Sequence, residues 1–255
     1  MTAPEVSILI PVRGAAAFVA DALASLRAQA AVAWEGILVG IDTDPAALQA
    51  AATAASDPRL RVLAHDAANE TEALHAAALQ ARGEVLGVLD GDDLLEPDAL
   101  ATLLAVLREW PDAGMAYGRH VLVDAGGRVL GPGPLCALPY TPDALLLDFM
   151  TGPLRLLRAS AYRAAGGYRA AHPDAADYDL CLRLSETCTI AHLPRVTYRR
   201  RVHASAPEVA RWAEGIEARY AAFVDAVRRR GLDTRYDCAL EIDSWHILQP
   251  RAGGG

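Results

Sequence analysis

The chain contains no lysine: all 24 of its basic residues are arginine. No Schiff base can form on such a polypeptide, and no P-loop lysine exists to hold a phosphate. Cysteine is scarce, and Cys136, Cys181, Cys188 and Cys238 form no CxxC pair. Neither a zinc site nor a disulfide framework is expected, and reduced thiols fit a cytoplasmic setting. Positive charge is outweighed by 32 acidic residues, a formal net charge of -8, so nothing is left over to neutralise a nucleic acid backbone or an anionic membrane. No stretch approaches the roughly 20 uninterrupted apolar residues of a bilayer span, and the opening MTAPEVSILIPV carries no basic leader. These absences predict a soluble protein with no nucleic acid partner and no transmembrane segment.

What is present is a globular composition, 255 residues of which 53% are hydrophobic and 22% charged. The run VSILIPV from Val6 to Val12 is apolar and β-branched, as a buried parallel strand requires. A helical pattern over 15–29 and a second strand, Gly36 to Ile41, complete a βαβ unit. The alternation continues with a helix at 45–55, a strand at 60–64, a helix at 69–81, a strand at 85–89 and a helix at 96–109. The second half is less regular. It offers strands at 113–117 and 120–123, a Gly- and Pro-rich loop at 131–142, a strand at 153–157, a helical turn closed by Gly166-Gly167, a helix at 177–185 and a β segment at 190–196. A long helix over 207–230 carries Val209, Trp212, Ile216, Tyr220, Phe223 and Val227 as a core seam.

The sharpest local feature is the apolar strand running straight into Asp90-Gly91-Asp92-Asp93. Three carboxylates at the carboxyl end of a buried strand repel one another unless a cation sits among them, and hard oxygen ligands suit Mg²⁺ or Mn²⁺. In open α/β sheets ligands bind at that edge. The plainer alternative is that Asp92 or Asp93 caps the next helix while Asp90 makes a turn. An EF-hand is excluded because Leu94 falls where the third ligand should be.

Taken together, VSILIPV, Ser25-Leu26-Arg27-Ala28-Gln29, the acidic strand end at Asp42, Ala81-Arg82-Gly83-Glu84 and Leu89-Asp90-Gly91-Asp92-Asp93-Leu94-Leu95-Glu96-Pro97 resemble family 2 glycosyltransferases in order and spacing. Downstream, Gly166-Gly167-Tyr168, Asp177-Tyr178-Asp179-Leu180-Cys181-Leu182-Arg183-Leu184 and Tyr198-Arg199-Arg200-Arg201-Val202-His203 are similar to that family's GGF/Y, EDYDLWLRL and YRxH elements. The resemblance implies a GT-A fold: Rossmann-like α/β, with a mixed, mostly parallel central sheet flanked by helices and a helical C-terminal extension. The GT-A domain would span 1–205, with a nucleotide-binding half at about 1–93 and an acceptor half at about 94–205, ahead of an extension and tail at 206–255.

The activity implied is inverting transfer of a sugar from a nucleoside-diphosphate donor, a UDP-sugar first among the candidates, to an acceptor hydroxyl with Mn²⁺ or Mg²⁺. Residue by residue, the resemblance makes Asp177 the general base. It sets Pro11, Arg13, Asp42, Asp44, Asp90, Gly91, Arg199 and Arg201 around the nucleotide sugar. Asp92, His203 and Asp93 fall at the metal. Gly166, Gly167 and Tyr168 line the acceptor cleft, and His172, five residues before Asp177, is placed there by proximity. The expected location is the bacterial cytoplasm, peripheral to the inner membrane face at most.

The chain departs from the family pattern in four places. Pro11-Val12-Arg13-Gly14 replaces Pro-x-Tyr-Asn, and Gly40-Ile41-Asp42-Thr43-Asp44 replaces Asp-Asp-Gly-Ser. Leu74-His75 stands for Arg-Asn, and Ala176 for the Glu before Asp177. These departures keep a second reading open, a non-catalytic nucleotide-sugar binder. A phosphatase of the haloacid dehalogenase type is a weaker third, since its aspartate motif normally opens the chain and needs a basic partner on a later strand.

Overall fold

The computed structural model describes residues 3–13, 18–203 and 212–240. The first half alternates strand and helix: β1 (Val6–Arg13), α1 (Val19–Arg27), β2 (Trp34–Ile41), α2 (Pro45–Ala54), β3 (Leu60–Ala67), α3 (Glu70–Leu79) and β4 (Val85–Val88). All eight residues of β2 and the first seven of β1 are buried, which is why both read as continuous apolar runs. The pleat still sorts them. Ile8, Ile10 and Val12 face the core under α1 and α2, and Leu9 faces the opposite core under α3.

The second half adds β5 (Leu94–Leu95), α4 (Ala99–Glu109), β6 (Ala113–Val123), β7 (Val129–Pro132), α5 (Ala144–Leu147), β8 (Arg155–Arg158), α6 (Ala159–Ala164), α7 (Ala176–Thr187), β9 (Thr189–Arg201) and α8 (Trp212–Arg229). One nine-stranded sheet results, in the order β3-β2-β1-β4-β8-β6-β9-β5, with β7 paired to β6. The four strands β3, β2, β1 and β4 are mutually parallel. β8 joins β4 antiparallel and also pairs antiparallel with β6, while β6 and β9 run parallel. Leu100, Leu103, Leu104 and Leu107 of α4 share one core with Leu23 and Leu26 of α1. Leu180 and Leu184 of α7 share the other with Ala222, Ala226 and Val227 of α8.

Several elements differ from the sequence expectation, among them β5, β7 and α5, which it did not contain. The two strand signals at 113–117 and 120–123 are one strand, β6, bent by register shifts at Tyr117, Arg119 and His120. The strand expected at 190–196 runs on through the arginines to Arg201, because Leu94 and Leu95 pair with Arg199 and Tyr198. The helix expected from Glu96 starts at Ala99, preceded by Asp98 in the left-handed region at φ 62°. Val209 lies outside the described residues. No described helix is long and apolar enough to cross a membrane.

Candidate active site

Because β1 to β4 are parallel, their carboxyl ends meet on one edge, and the strand order changes direction between β1, which is followed by β2 and β3 on one side, and β4, which is followed by the later strands on the other. Pro11 and Arg13 close β1, Asp42 follows β2, Glu70 follows β3 and Asp90 follows β4. Gly91 fits this crevice tightly: its N–H donates to Pro11 O at 3.1 Å, and a Cβ there would also sit 3.1 Å from that oxygen. The exposed Asp42 carboxylate lies 3.9 Å from Arg13. Asp44 accepts the Ala46 N–H at 2.9 Å as the N-cap of α2, a helix-capping geometry that faces its carboxylate to its own helix.

The acidic turn is fixed by the last strand. The Tyr198 hydroxyl accepts from Asp90 N–H at 3.2 Å and bonds the Asp93 carboxylate, which also accepts Arg201 N–H at 2.6 Å. Asp93 is thus buried in scaffolding contacts rather than turned outward with Asp92. Asp92 instead faces His203, with Nε2 2.9 Å from Oδ2, and the imidazole ring packs on Phe18 at 5.1 Å. Arg201 donates to Asp92 O at 2.8 Å, Asp21 at 3.0 Å and Ala125 O, and lies over the Phe18 ring. Arg199 pairs with Glu96 at 2.7 Å. Both guanidinium groups, expected at phosphate, are engaged by protein partners.

Asp177 occupies the first turn of α7, whose N-cap is Ala175 with no side-chain cap, so its carboxylate is not taken up by capping. Arg155 donates to one oxygen of Asp177 and, through its other terminal nitrogen, to Thr151 O at 2.8 Å. The Tyr168 hydroxyl approaches the other oxygen at 3.3 Å. Tyr168 is aimed there by the turn at Gly166 and Gly167, whose φ values of 81° and 64° belong to the left-handed region. Arg183 ties that turn to α7 through Ala165 O and Gly167 O, while Asp179, fully buried, binds both Arg183 and Arg169.

His172 faces α8. Its Nε2 lies 3.5 Å from Asp225 of α8, beside a groove of about 590 Å³ that Tyr220 and Arg228 also line. His172, Asp179 and Asp225 hold ligand atoms within 4.8 Å of one another, yet Arg169, Arg183 and Arg229 already donate to those two carboxylates.

Sequence reasoning missed two members of the site. Arg155 was hidden in an apolar strand signal, although a charged residue in such a run is itself a warning. Glu70 opens α3 just after β3, at the same edge as Asp42 and Asp90, and the strand-end rule alone locates it. Burial, with Asp177 and Asp92 adding repulsion, pushes the Glu70 carboxyl up to about 7 despite Arg13. Burial together with Glu70, Asp93, Asp92 and Asp177 holds Asp90 well above the ordinary range. Asp93 is pushed up to about 7 by burial and by Asp92. Oxygen-rich groups that resist simultaneous ionisation are a donor set that fits a hard divalent cation.

An open sheet of this order with an antiparallel extension and an acidic turn at its switch point is the GT-A arrangement. It superposes on Staphylococcus aureus TarS 1-349 in complex with UDP-GlcNAc with a TM-score of 0.71 at 16% identity, covering 88% of this chain and 66% of that one. A Pyrobaculum calidifontis mannosyltransferase, PcManGT, in complex with GDP-Man and Mn²⁺ matches at a TM-score of 0.66 and 17% identity, over 89% and 65% of the two chains. The chain belongs to glycosyl transferase family 2, whose model matches residues 7–163. It is 30% identical over 251 residues to the O-antigen biosynthesis protein RfbC of Myxococcus xanthus, 96% of this chain but 18% of that protein. It spans about a fifth of the length of the curated relatives it matches. Family membership removes the phosphatase alternative.

Proposed function

We propose that the protein transfers a sugar from a nucleoside-diphosphate donor to an acceptor hydroxyl, with inversion at the anomeric carbon. The observation that carries this reading is the presence of two differently equipped carboxylates, both near enough to act on Glu70: Asp92 beside His203, and Asp177 held by Arg155 and Tyr168. Asp92 and His203 are the residues that would hold a divalent cation, with Asp93 and Tyr198 bracing the turn. Bound there, Mn²⁺ or Mg²⁺ supplies Lewis-acid stabilisation of charge on the departing diphosphate. Pro11, Arg13, Asp42, Asp90 and Gly91 form the nucleotide side of the crevice, with Asp44 at its rim.

Asp177 takes the acceptor's hydroxyl proton while that oxygen bonds to the anomeric carbon; the bond to the diphosphate oxygen breaks, its electron pair leaving with the diphosphate. Two protein donors leave part of the carboxylate's accepting capacity for that proton and fix its plane. The test is a panel of UDP, GDP, dTDP and CDP sugars with Mn²⁺, comparing the wild type with Asp177→Asn. Turnover in the wild type and its loss in the variant uphold the reading. Binding without turnover in both would turn it to the non-catalytic binder, which one observation favours: Leu74, in place of the family's arginine, is fully buried and offers the nucleotide no cation.

A further inference from the structure

We propose that Glu70 is the specificity-determining residue for the transferred sugar, accepting hydrogen bonds from its hydroxyl or amino groups and disfavouring a donor that itself carries a carboxylate. This rests on the reading of the cleft as a glycosyl-transfer site. Direct displacement demands that the sugar ring lie between the leaving diphosphate at Asp92 and the base at Asp177. Glu70 opens α3 at the same carboxyl edge of the sheet as Asp90. Among carboxylates, Asp177 and Asp92 both act on it electrostatically, and Glu70 is in turn the foremost charge acting on Asp90.

The local structure holds it there. Asn69 caps α3 by accepting Glu72 N–H at 3.0 Å, so Glu70 is free of the capping role. The next residue, Thr71, is buried and donates to Pro173 O at 2.8 Å, which ties the start of α3 to the segment leading into Asp177. Among the described residues Glu70 has no hydrogen bond to its partly buried carboxyl group. A sugar hydroxyl or ammonium can complete it.

The same geometry argues against a uronate. The cations acting on Glu70 are Arg13 and Arg155. Arg155 is engaged by Asp177 and Thr151 O, and Arg13 stands beside Asp42. Above about pH 7, where Glu70 is ionised, a further carboxylate would add to the repulsion that Glu70, Asp90, Asp92 and Asp177 already exert on one another.

Calorimetry on the full chain with Mn²⁺ tests this. The ligands are UDP and GDP alone, then UDP-glucose, UDP-N-acetylglucosamine, GDP-mannose and UDP-glucuronate, against wild type, Glu70→Gln and Glu70→Ala. The wild type should bind a neutral or amino-sugar donor and discriminate against UDP-glucuronate. Glu70→Ala should weaken the preferred donor about tenfold or more, with Glu70→Gln intermediate, while the bare nucleoside diphosphate stays within about twofold. The discrimination against UDP-glucuronate should shrink in both variants. Equal losses for donor and bare diphosphate would overturn the proposal in favour of a metal or nucleotide role. Unchanged donor affinity would reduce Glu70 to a charge at the helix start. A wild type that binds nucleoside diphosphates but prefers UDP-glucuronate would sink this proposal alone, whereas one that binds no nucleotide would sink the parent function.

Discussion

His203 Nε2 sits 2.9 Å from Asp92 Oδ2 across 111 residues of sequence. An imidazole beside a carboxylate can bind a divalent ion only with both ligands deprotonated. Asp92→Asn and His203→Ala are each expected to raise the Mn²⁺ concentration for half-maximal activity by about tenfold or more. Titration of Mn²⁺ in the presence of nucleoside diphosphate reads this directly, and equal Mn²⁺ dependence in both variants and the wild type would count against the assignment.

Arg155 is buried and shared between Asp177 and Thr151 O. Arg155→Met should lower kcat by about 10² or more with little change in donor KM, since it loosens the proposed base, Asp177, and not the nucleotide. Arg155→Lys should recover part of the loss. A change confined to donor KM would place Arg155 elsewhere in the reaction.

Raised carboxyl groups make the metal-free protein sensitive to pH in an unusual direction. Glu70 and Asp93 keep their protons up to about pH 7 when folded, while the unfolded chain loses them near pH 4. Between those values the folded state binds more protons, so its stability falls as pH rises. In chelator, Tm should drop by a few degrees between pH 5 and pH 7.5 on account of these groups, and Mn²⁺ should restore most of it at the upper end. A chelated protein whose Tm climbs over that interval contradicts the account.

Glu35 is a structural counterpart with the opposite shift. Burial works to raise its pKa, yet hydrogen bonds from Arg82, Ser7 and Arg61 carry it below the ordinary value. That stabilisation is present above the unfolded glutamate pKa and is lost as pH falls through the folded one. Glu35→Ala should cost about 2–3 kcal/mol in urea unfolding, because it strands Ser7 and two arginines. A loss under about 0.5 kcal/mol would show that solvent replaces the network.

The first four strands and the acidic turn were legible because fully buried parallel strands write their burial as unbroken apolar runs, and their polar ends then stand out. The motif marks Asp177 in the sequence but not the Arg155 and Tyr168 side chains that bond its carboxylate in the structure. The arginine run invites phosphate because the sequence shows guanidinium groups but not their acids; Glu96, Asp21 and backbone oxygens from distant segments engage Arg199 and Arg201. His172 was drawn to Asp177 by proximity along the chain, while packing of α8 gives it Asp225. Glu70 stayed hidden because an acidic residue at a helix start is so often explained by the helix alone.

Tyr198 and Arg201 brace the turn at Asp90 to Asp93 from a strand near the end of the sheet's own sequence order. A nascent polypeptide that has emerged from the ribosome only through α4 therefore owns every aspartate of that turn without the groups that set its shape. The acidic corner therefore takes its shape only once β9 lies between β6 and β5.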